Sequence, residues 1–544
     1  MKWKLFLKSN AGIALGCAVL LSQSTGAYAF KFYSGQLKGS FDTDITYGIS
    51  ARTENADKAN LGSSYGNRSF QDKGDIFSNA IRGSSTLTLD YKNVGLLVRG
   101  NYFHDFEYAD LKLASDAEDK LVSDVTLTDA FVYGYFGDNE QFNIRLGQQV
   151  ISWGENTFIQ GALNDINTVD VNKLRQPGLA LKDAFIGSNA FYVSWNSDNN
   201  WTIESFYLFD FDRIELDPAG SFFATLDAIG EGGGYDHAGN GVIDGACISP
   251  DGVPCDIGLV RTSNEQPGGG QYGLAVRKFF PGLFNGTEFA LYYQNLHDHV
   301  PIISSYFGTG QFFLEYPDNI ERFGASFNTN IASWAIGGEY SLRKDSPIQL
   351  TESILNGFGL PVGACATTAC APGQKIQGYD VVDRHQIQVT FQRVWGVNHM
   401  IGADDSSTLI EVAYGWVDGI PKDRDLGFGA RSLFNPHVTD NFSGFQLLHN
   451  LTYNAALFKV VNVLPYIAFK YDVDGISNEI APVFVEDRKA LTLGVNFSYG
   501  SETITGGISW TAFYGEKHLL NQGGGRLNDS TDRDFVQANI SYSF

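Results

Sequence analysis

Eighteen stretches of this chain alternate apolar and polar residues with a period of two, and the connections between them are by turns short and long. The last stretch is the clearest. Val536, Ala538, Ile540, Tyr542 and Phe544 are apolar, whereas Gln537, Asn539, Ser541 and Ser543 are polar. Such alternation gives a strand one apolar and one wet face. The same pattern reads as strands near 37–53, 79–92, 94–106, 125–137, 140–151, 182–196, 200–213, 270–279, 286–297, 320–330, 333–343, 383–395, 407–417, 442–457, 460–473, 487–499 and 502–514, with the last beginning near 533. Tight turns such as Lys92-Asn93, Gly137-Asp138-Asn139, Pro281-Gly282 and Gly500-Ser501 join strands in pairs, and longer polar segments separate the pairs. A β-sandwich has no need to place its long connections at every second position. A barrel with short turns on one side of a membrane and long loops on the other does. The expected fold is all-β: a transmembrane antiparallel β-barrel of about 18 strands, with 16 as the alternative count. It has short periplasmic turns, long extracellular loops and both termini in the periplasm.

The opposite end of the chain reads as an export signal. Lys2, Lys4 and Lys8 precede a short apolar run at 11–21, and Ala27-Tyr28-Ala29 forms a small-x-small cleavage site. A cut before Cys17, which would make a lipoprotein, is the rival, but Ala14 stands where that signal usually has Leu. We read residues 1–29 as a signal peptide cleaved after Ala29, and 30–544 as one outer-membrane barrel of a Gram-negative cell. No stretch after residue 29 approaches the roughly 18 apolar residues that a membrane helix needs, so any spanning structure must be a closed barrel. With 41 Phe, 26 Tyr and 61 Gly yet a mean hydropathy of only −0.14, the composition suits a barrel with an apolar wall and a polar lumen. The net charge of −23 argues against a nucleic-acid partner. The expected partners are outer-membrane lipids, lipopolysaccharide and the barrel-assembly machinery, for which Tyr542 and Phe544 form the terminal assembly signal.

Alternation also predicts faces. It turns Leu491, Leu493, Val495, Phe497 and Tyr499 outward and places a row of charges inside: Arg99, Arg145, Glu204, Arg277, Glu288, Arg322, Glu339, Arg343, Arg384 and Glu411. An arginine facing lipid near the midplane costs roughly 2–4 kcal/mol, so the bias is physically expected. Two roles stay open for these charges, bracing the wall as Arg–Glu pairs or touching a substrate. Residues 152–180 are too apolar for a solvated loop, with Phe158, Ile159, Leu163, Ile166, Val169 and Leu174. We expect them to fold into the lumen as a constriction carrying Trp153, Glu155, Phe158, Asp165 and Asp170, the acids lying near the lumen arginines. A loop packed over the barrel mouth is the alternative. Two further long extracellular loops, 214–269 and 344–382, each carry a cysteine pair. Cys247 with Cys255 and Cys365 with Cys370 read as local disulfides rather than zinc ligands, because the spacings lack the C-x₂-C form and no His lies at ligand spacing.

The run from Arg145 to Lys182 resembles the signature of a family of large proteobacterial barrels, the domain-of-unknown-function 1302 family. So do Gly35-Gln36-Leu37-Lys38-Gly39-Ser40-Phe41-Asp42-Thr43, the stretch from Tyr316 to Asn330, and Gly338-Glu339-Tyr340-Ser341-Leu342-Arg343. The resemblance covers essentially the mature chain. One departure is Asn167-Thr168, where the family usually has Asn-Pro. The resemblance implies a genomic setting near resistance-nodulation-division type transporters and a periplasmic companion family. It also implies traffic of hydrophobic molecules.

Three function classes compete. A channel or transport component, for a hydrophobic or lipid-like molecule and gated by the in-folded segment, is the leading expectation, with a general diffusion porin second. A surface-structural or adhesion barrel is third. An enzyme is disfavoured: His104-Asp105 and His297-Asp298-His299 offer His/Asp pairs, but nothing localises a Ser, His and acid grouping. Residues 236–247 match a calcium loop only in part, since Ala238 and Cys247 stand where acids belong. No catalytic residue, cofactor or metal is expected.

Overall fold

A computed structural model of the chain describes residues 30–57, 65–178, 181–224, 227–233, 260–350, 352–357, 359–361, 363–419, 438–477, 479, 482–500, 502–516 and 528–544. The signal segment 1–29, Cys247, Cys255 and residues 236–247 lie outside these.

The strands are β1 (Leu37–Arg52), β2 (Ile76–Tyr91), β3 (Val94–Asp105), β4 (Ser123–Phe136), β5 (Phe142–Gln149), β6 (Ser188–Asn196), β7 (Trp201–Leu208), β8 (Gln271–Phe280) and β9 (Thr287–Leu296). They continue as β10 (Ile320–Ile331), β11 (Trp334–Gln349), β12 (Tyr379–Val394), β13 (Asp405–Asp418), β14 (Asn441–Leu457), β15 (Val461–Asp474), β16 (Lys489–Tyr499), β17 (Ile504–Tyr514) and β18 (Phe535–Ser543). Each pairs antiparallel with its neighbours in sequence. β18 returns to β1, from Asp44 opposite Ser543 to Arg52 opposite Phe535, which closes an 18-strand barrel. The nineteenth strand of the sheet, Phe30–Ser34, folds back on the start of β1 through Gly35, whose φ of +63° a side chain would resist.

The connections follow the expected order. β14 and β15 meet at Phe458-Lys459, with φ of +53° and +60°, the positive angles a tight hairpin turn requires. Ile540 and Tyr542 of β18 are more than a third exposed on the outer face, as are Leu493 and Tyr499 of β16, whereas the Ser541 hydroxyl bonds Thr46 at 2.7 Å inside. The apolar exterior therefore follows directly from the period-two pattern.

Four boundaries differ from expectation. β6 begins at Ser188 rather than near 182, because Phe185–Ile186 pair instead with Thr168–Val169 inside the lumen. β7 ends at Leu208 rather than near 213. β11 and β12 are longer than the alternation indicates, and the connection correspondingly shorter than 344–382. A bulge between Arg343 and Ser346 shifts the register, so polar Lys344 and Asp345 interrupt the pattern while Ser346 to Gln349 still pair with Tyr379 to Val382. Above the mouth, a hairpin of Ile302–Tyr306 and Gln311–Glu315 joins Val260–Arg261 and Lys375–Ile376 in a separate four-stranded sheet.

Candidate functional site

The stretch between β5 and β6 crosses the barrel interior, and its far end is held by carboxylates on the opposite wall. Three successive backbone N–H groups, of Thr157, Phe158 and Ile159, donate to the Glu411 carboxylate, each at 2.7 Å. Glu339 accepts from Glu155 N at 2.5 Å and from Leu163 N at 3.2 Å. A segment folded into a barrel cannot pair its backbone in a sheet, so its N–H groups need other acceptors. Inward carboxylates on β11 and β13 supply them, and hydrogen bonds to an ionised acceptor are the strong kind. Side-chain amides complete the set, with Gln294 donating to Leu163 O and Gln386 to Gln160 O, both at 3.1 Å.

Packing fixes the same end. Trp153, 1% exposed, lies against Phe206 and Tyr292 with ring centroids 4.8 and 5.9 Å away, and shares a buried cluster with Ile151, Leu163 and Ile166. Gly324 of β10 leaves room for Leu163. A Cβ there would stand 2.3 Å from a Leu163 methyl, far inside contact distance. The half-buried Asp165 carboxylate reaches Arg322 at 3.3 Å and Arg343 at 3.7 Å, while Arg343 also meets Asp298 at 3.1 Å. Arg384 pairs with Glu479 from the β15–β16 connection. Three buried guanidiniums thus share three carboxylates.

The near end turns back towards the seam of the barrel. Asp170 caps the short helix Val171–Leu174 through the Lys173 N–H at 3.0 Å and pairs with the Lys173 ammonium at 3.3 Å. Burial pushes the Asp170 carboxyl up to about 6, with the neighbouring Glu215 adding to the shift and the Lys173 and Lys120 ammoniums opposing it. Further on, Pro177 O accepts from Arg82 at 2.7 Å, and the Pro177 ring fits over Gly48, where a Cβ would sit 2.6 Å from it. The segment therefore spans from the β10–β13 wall to β1 and β2.

A second inward contact involves the β7–β8 connection, expected as an external loop over 214–269. Its described part includes Phe222, which stacks on Phe77 with centroids 3.9 Å apart, and Phe223, which meets Phe535 edge-on at 5.4 Å. Arg533 donates to Phe222 O at 2.8 Å and Ala224 O at 3.0 Å. The signal for this was present in Ser221-Phe222-Phe223-Ala224, an apolar run within a Gly-rich stretch.

Beneath the in-folded segment lies a cavity of about 1180 Å³ reaching the short-turn rim, lined by Lys173, Gln176, Gly178, Lys182 and Asp183 above and by Asp42, Asp44, Arg82, Asn101, Glu502 and Ser541 among others. Beside it, the inner face of β4 carries Phe131, Tyr133 and Tyr135, with successive ring centroids 6.1 and 6.2 Å apart. Tyr133 reaches across Gly95, where no side chain intervenes, to donate to Asp90.

The charges named from sequence divide into two groups. Arg99 pairs with Asp129 at 3.0 Å, Arg277 with Glu204 at 3.5 Å and Glu288 at 3.3 Å, and Arg145 stacks 4.0 Å over the Tyr192 ring, all within the wall. Arg322, Glu339, Arg343 and Glu411 instead contact the in-folded segment, and Arg384 lies against it at Gly161 while pairing with Glu479. Of its acids, only Asp165 meets the lumen arginines. Glu155 accepts from Asn328 at 2.7 Å, and Asp170 pairs with Lys173, because the chain turns away from the arginines after Ile166. Trp153 is sunk in its cluster and offers no surface to a passing molecule, whereas Phe158 is half-buried. Cys365 and Cys370 form a disulfide in the β11–β12 connection. Tyr542 and Phe544 lie side by side at the seam, ring centroids 5.6 Å apart. His104 and Asp105 are consecutive in β3, so their side chains point to opposite faces. His299 is stacked on Phe211 with 4° between planes, and burial pushes it down to about 4.

A closed 18-strand antiparallel barrel with an apolar exterior and a charged, loop-filled interior defines an outer-membrane β-barrel. Within that class, this chain belongs to the family described as protein of unknown function (DUF1302), whose model matches residues 10–544. No curated protein sequence matches it. Solved structures with similar overall architecture include OccAB4 of Acinetobacter baumannii, 9% identical with a TM-score of 0.44, covering 93% of this chain and 98% of that one. A BenF-like porin from Pseudomonas fluorescens is 9% identical with a TM-score of 0.43, covering 94% of this chain and 100% of that one. OpdK from Pseudomonas aeruginosa is 9% identical with a TM-score of 0.42, covering 93% and 98%.

Proposed function

We propose that this barrel is a gated outer-membrane channel for molecules with a large apolar part and a polar or charged end, and that residues 152–180 are its gate. The observation that carries the proposal is the grip of Glu411 on three consecutive backbone N–H groups. Such a contact holds a segment without regard to its side chains, and is lost as a unit when the segment moves. The aromatic row Phe131–Tyr133–Tyr135 supports an apolar solute, and the charges around the cavity support a polar end. The test is deletion of 156–172. The truncated barrel should assemble, remain heat-modifiable, and conduct ions and admit hydrophobic compounds where the full chain does neither. If the shortened barrel assembles and its permeability to both is unchanged, the segment is not the gate.

A general diffusion porin is the second reading, favoured by the charged lining of the cavity alone. It predicts steady, large conductance from the full chain in planar bilayers.

A further inference from the structure

On the outer, lipid-facing wall, three directly opposed residues form a row across neighbouring strands: Ile336 of β11, Phe391 of β12 and Ile410 of β13. With Trp334 they line a surface groove of about 270 Å³. Two positions further along β12 towards the short-turn rim, and on the same face, stands Arg393. Its guanidinium lies 3.9 Å over the Trp395 ring and 5.5 Å from that of Trp334. The Trp395 indole N–H donates to Thr408 at 2.8 Å, which anchors one of the two rings, and Thr408 also bonds the His449 ring at 2.9 Å.

Arg393 makes no ion pair among the described residues, whereas Arg99, Arg277, Arg322, Arg343 and Arg384 inside the barrel all do. Lys278, a second cation over an aromatic ring at the same rim, donates to Asn199 O. Asp404, at the far end of the β12–β13 connection, is engaged by the Asn454 N–H at 2.7 Å. An arginine at the headgroup level reaches membrane phosphates when the protein gives it no anion, and tryptophans mark that level. The short-turn side of the barrel faces the periplasmic leaflet. An apolar groove that ends at such a cation has the polarity of a single phospholipid, tail in the groove and phosphate on the guanidinium.

We infer that Arg393, Trp334 and Trp395, with the Ile336–Phe391–Ile410 groove, bind one glycerophospholipid of the periplasmic leaflet. The guanidinium fork donates to the phosphate oxygens, the geometry for which arginine is better suited than lysine. The tryptophan faces hold the fork in place. The lipid would brace β11–β13, the same wall that carries Glu339 and Glu411 on its inner face.

Native mass spectrometry of the full chain in mild detergent tests this, with palmitoyl-oleoyl phosphatidylglycerol, the diacylglycerol of the same chains, and inorganic phosphate as separate probes. The wild type should retain one phospholipid through delipidation and neither of the other two. Arg393→Gln should weaken retention by about fivefold, the effect of one surface charge. Ile410→Trp, which fills the groove and leaves Arg393 intact, should weaken it similarly, while Arg393→Lys should keep most of it. Heat-modifiability reports folding of each variant. Unchanged retention in both Arg393→Gln and Ile410→Trp overturns the site. So does diacylglycerol binding equal to phospholipid, which would make the cation irrelevant, or capture of inorganic phosphate, which would make the groove irrelevant.

Discussion

The inner faces of β10–β13 and of β1–β4 are built by the same alternation, yet they meet different fates. On β10–β13 the charged groups Arg322, Glu339, Arg384 and Glu411 are at most 4% exposed, sealed under residues 152–180. On β1–β4, Asp42, Asp44 and Asn101 border the cavity, and inward acids take side chains of the wall, as Asp129 does from Arg99 and Asp90 from Tyr133. The difference lies in what the acids accept. Glu339 and Glu411 take backbone N–H groups from a segment with no sheet partner, whereas the acids of the open wall take side chains of the wall itself. A carboxylate inside a barrel is thus either a clamp or a brace, and the bond donor tells which.

The strongest way to break the contrast is to remove both clamps. The Glu339→Ala, Glu411→Ala double variant strands five backbone N–H groups of the segment. At about 1.5–3 kcal/mol for each bond to a charged group, the loss should exceed what holds the segment down. Planar-bilayer recordings should show frequent opening where the wild type is quiet, with assembly unaffected. A quiet double variant would mean that packing around Trp153 and Leu163 suffices.

Packing on the same wall gives the next largest effect. Gly324→Ala drives a methyl into Leu163, an overpacking cost of about 1–3 kcal/mol. A control away from both walls, Gly507→Ala on β17, comes closer than ordinary contact only to the tip of the flexible Asn496 side chain. Gly324→Ala should raise open probability and Gly507→Ala should leave it alone. Equal effects would mean that the fit of Leu163 over Gly324 does not hold the segment down.

Sequence made the two walls legible to different depths. The strands, their faces and the in-folding of 152–180 follow from period-two alternation and from apolar residues that have nowhere else to go. The expectation that the acids of this segment lie near the lumen arginines holds for Asp165 but not for Glu155 or Asp170, whose partners are Asn328 and Lys173. What could not be read is that Glu411 and Glu339 would clamp backbone rather than pair with arginines, because a backbone N–H leaves no mark in a sequence. Nor could the burial of Trp153 be read, since an aromatic beside a glycine looks the same whether it lines a passage or fills a core. The bulge after Arg343 hid the ends of β11 and β12 for a third reason: a register shift breaks the alternation by which strands are recognised.

Acidity should shift the balance more modestly. Asp170 has its carboxyl pushed from 3.8 to about 6 when the segment is docked. An acid with a raised value in the docked state favours docking at low pH, and this contribution is lost as pH rises from about 4 through 6. Going from pH 7 to pH 5 should therefore tighten the gate by roughly 1.3 kcal/mol, making opening about tenfold rarer. Asp170→Asn, which keeps the helix cap, should reduce that dependence. Persistence of the full pH effect in the variant would assign it to another acid.

The smallest effect belongs to the open wall and can be seen only once the gate is released. Tyr133 stands at the centre of the aromatic row, 6.1 and 6.2 Å from Phe131 and Tyr135, and reaches Asp90 over the gap left by Gly95. It touches nothing in 152–180, so substitution there should leave the quiet state of the full chain unaltered. In the Glu339→Ala, Glu411→Ala background, Tyr133→Ala should weaken block of the ion current by an apolar solute, since an aromatic contact contributes about 0.5–1.5 kcal/mol, a few-fold in affinity. Tyr133→Phe keeps the ring and loses only the hydroxyl, so it should retain the block if the row acts as an apolar surface. Should Tyr133→Phe behave like Tyr133→Ala, the hydroxyl and its bond to Asp90 matter more than the ring. The open wall would then be a polar brace throughout, and the solute would pass without touching it.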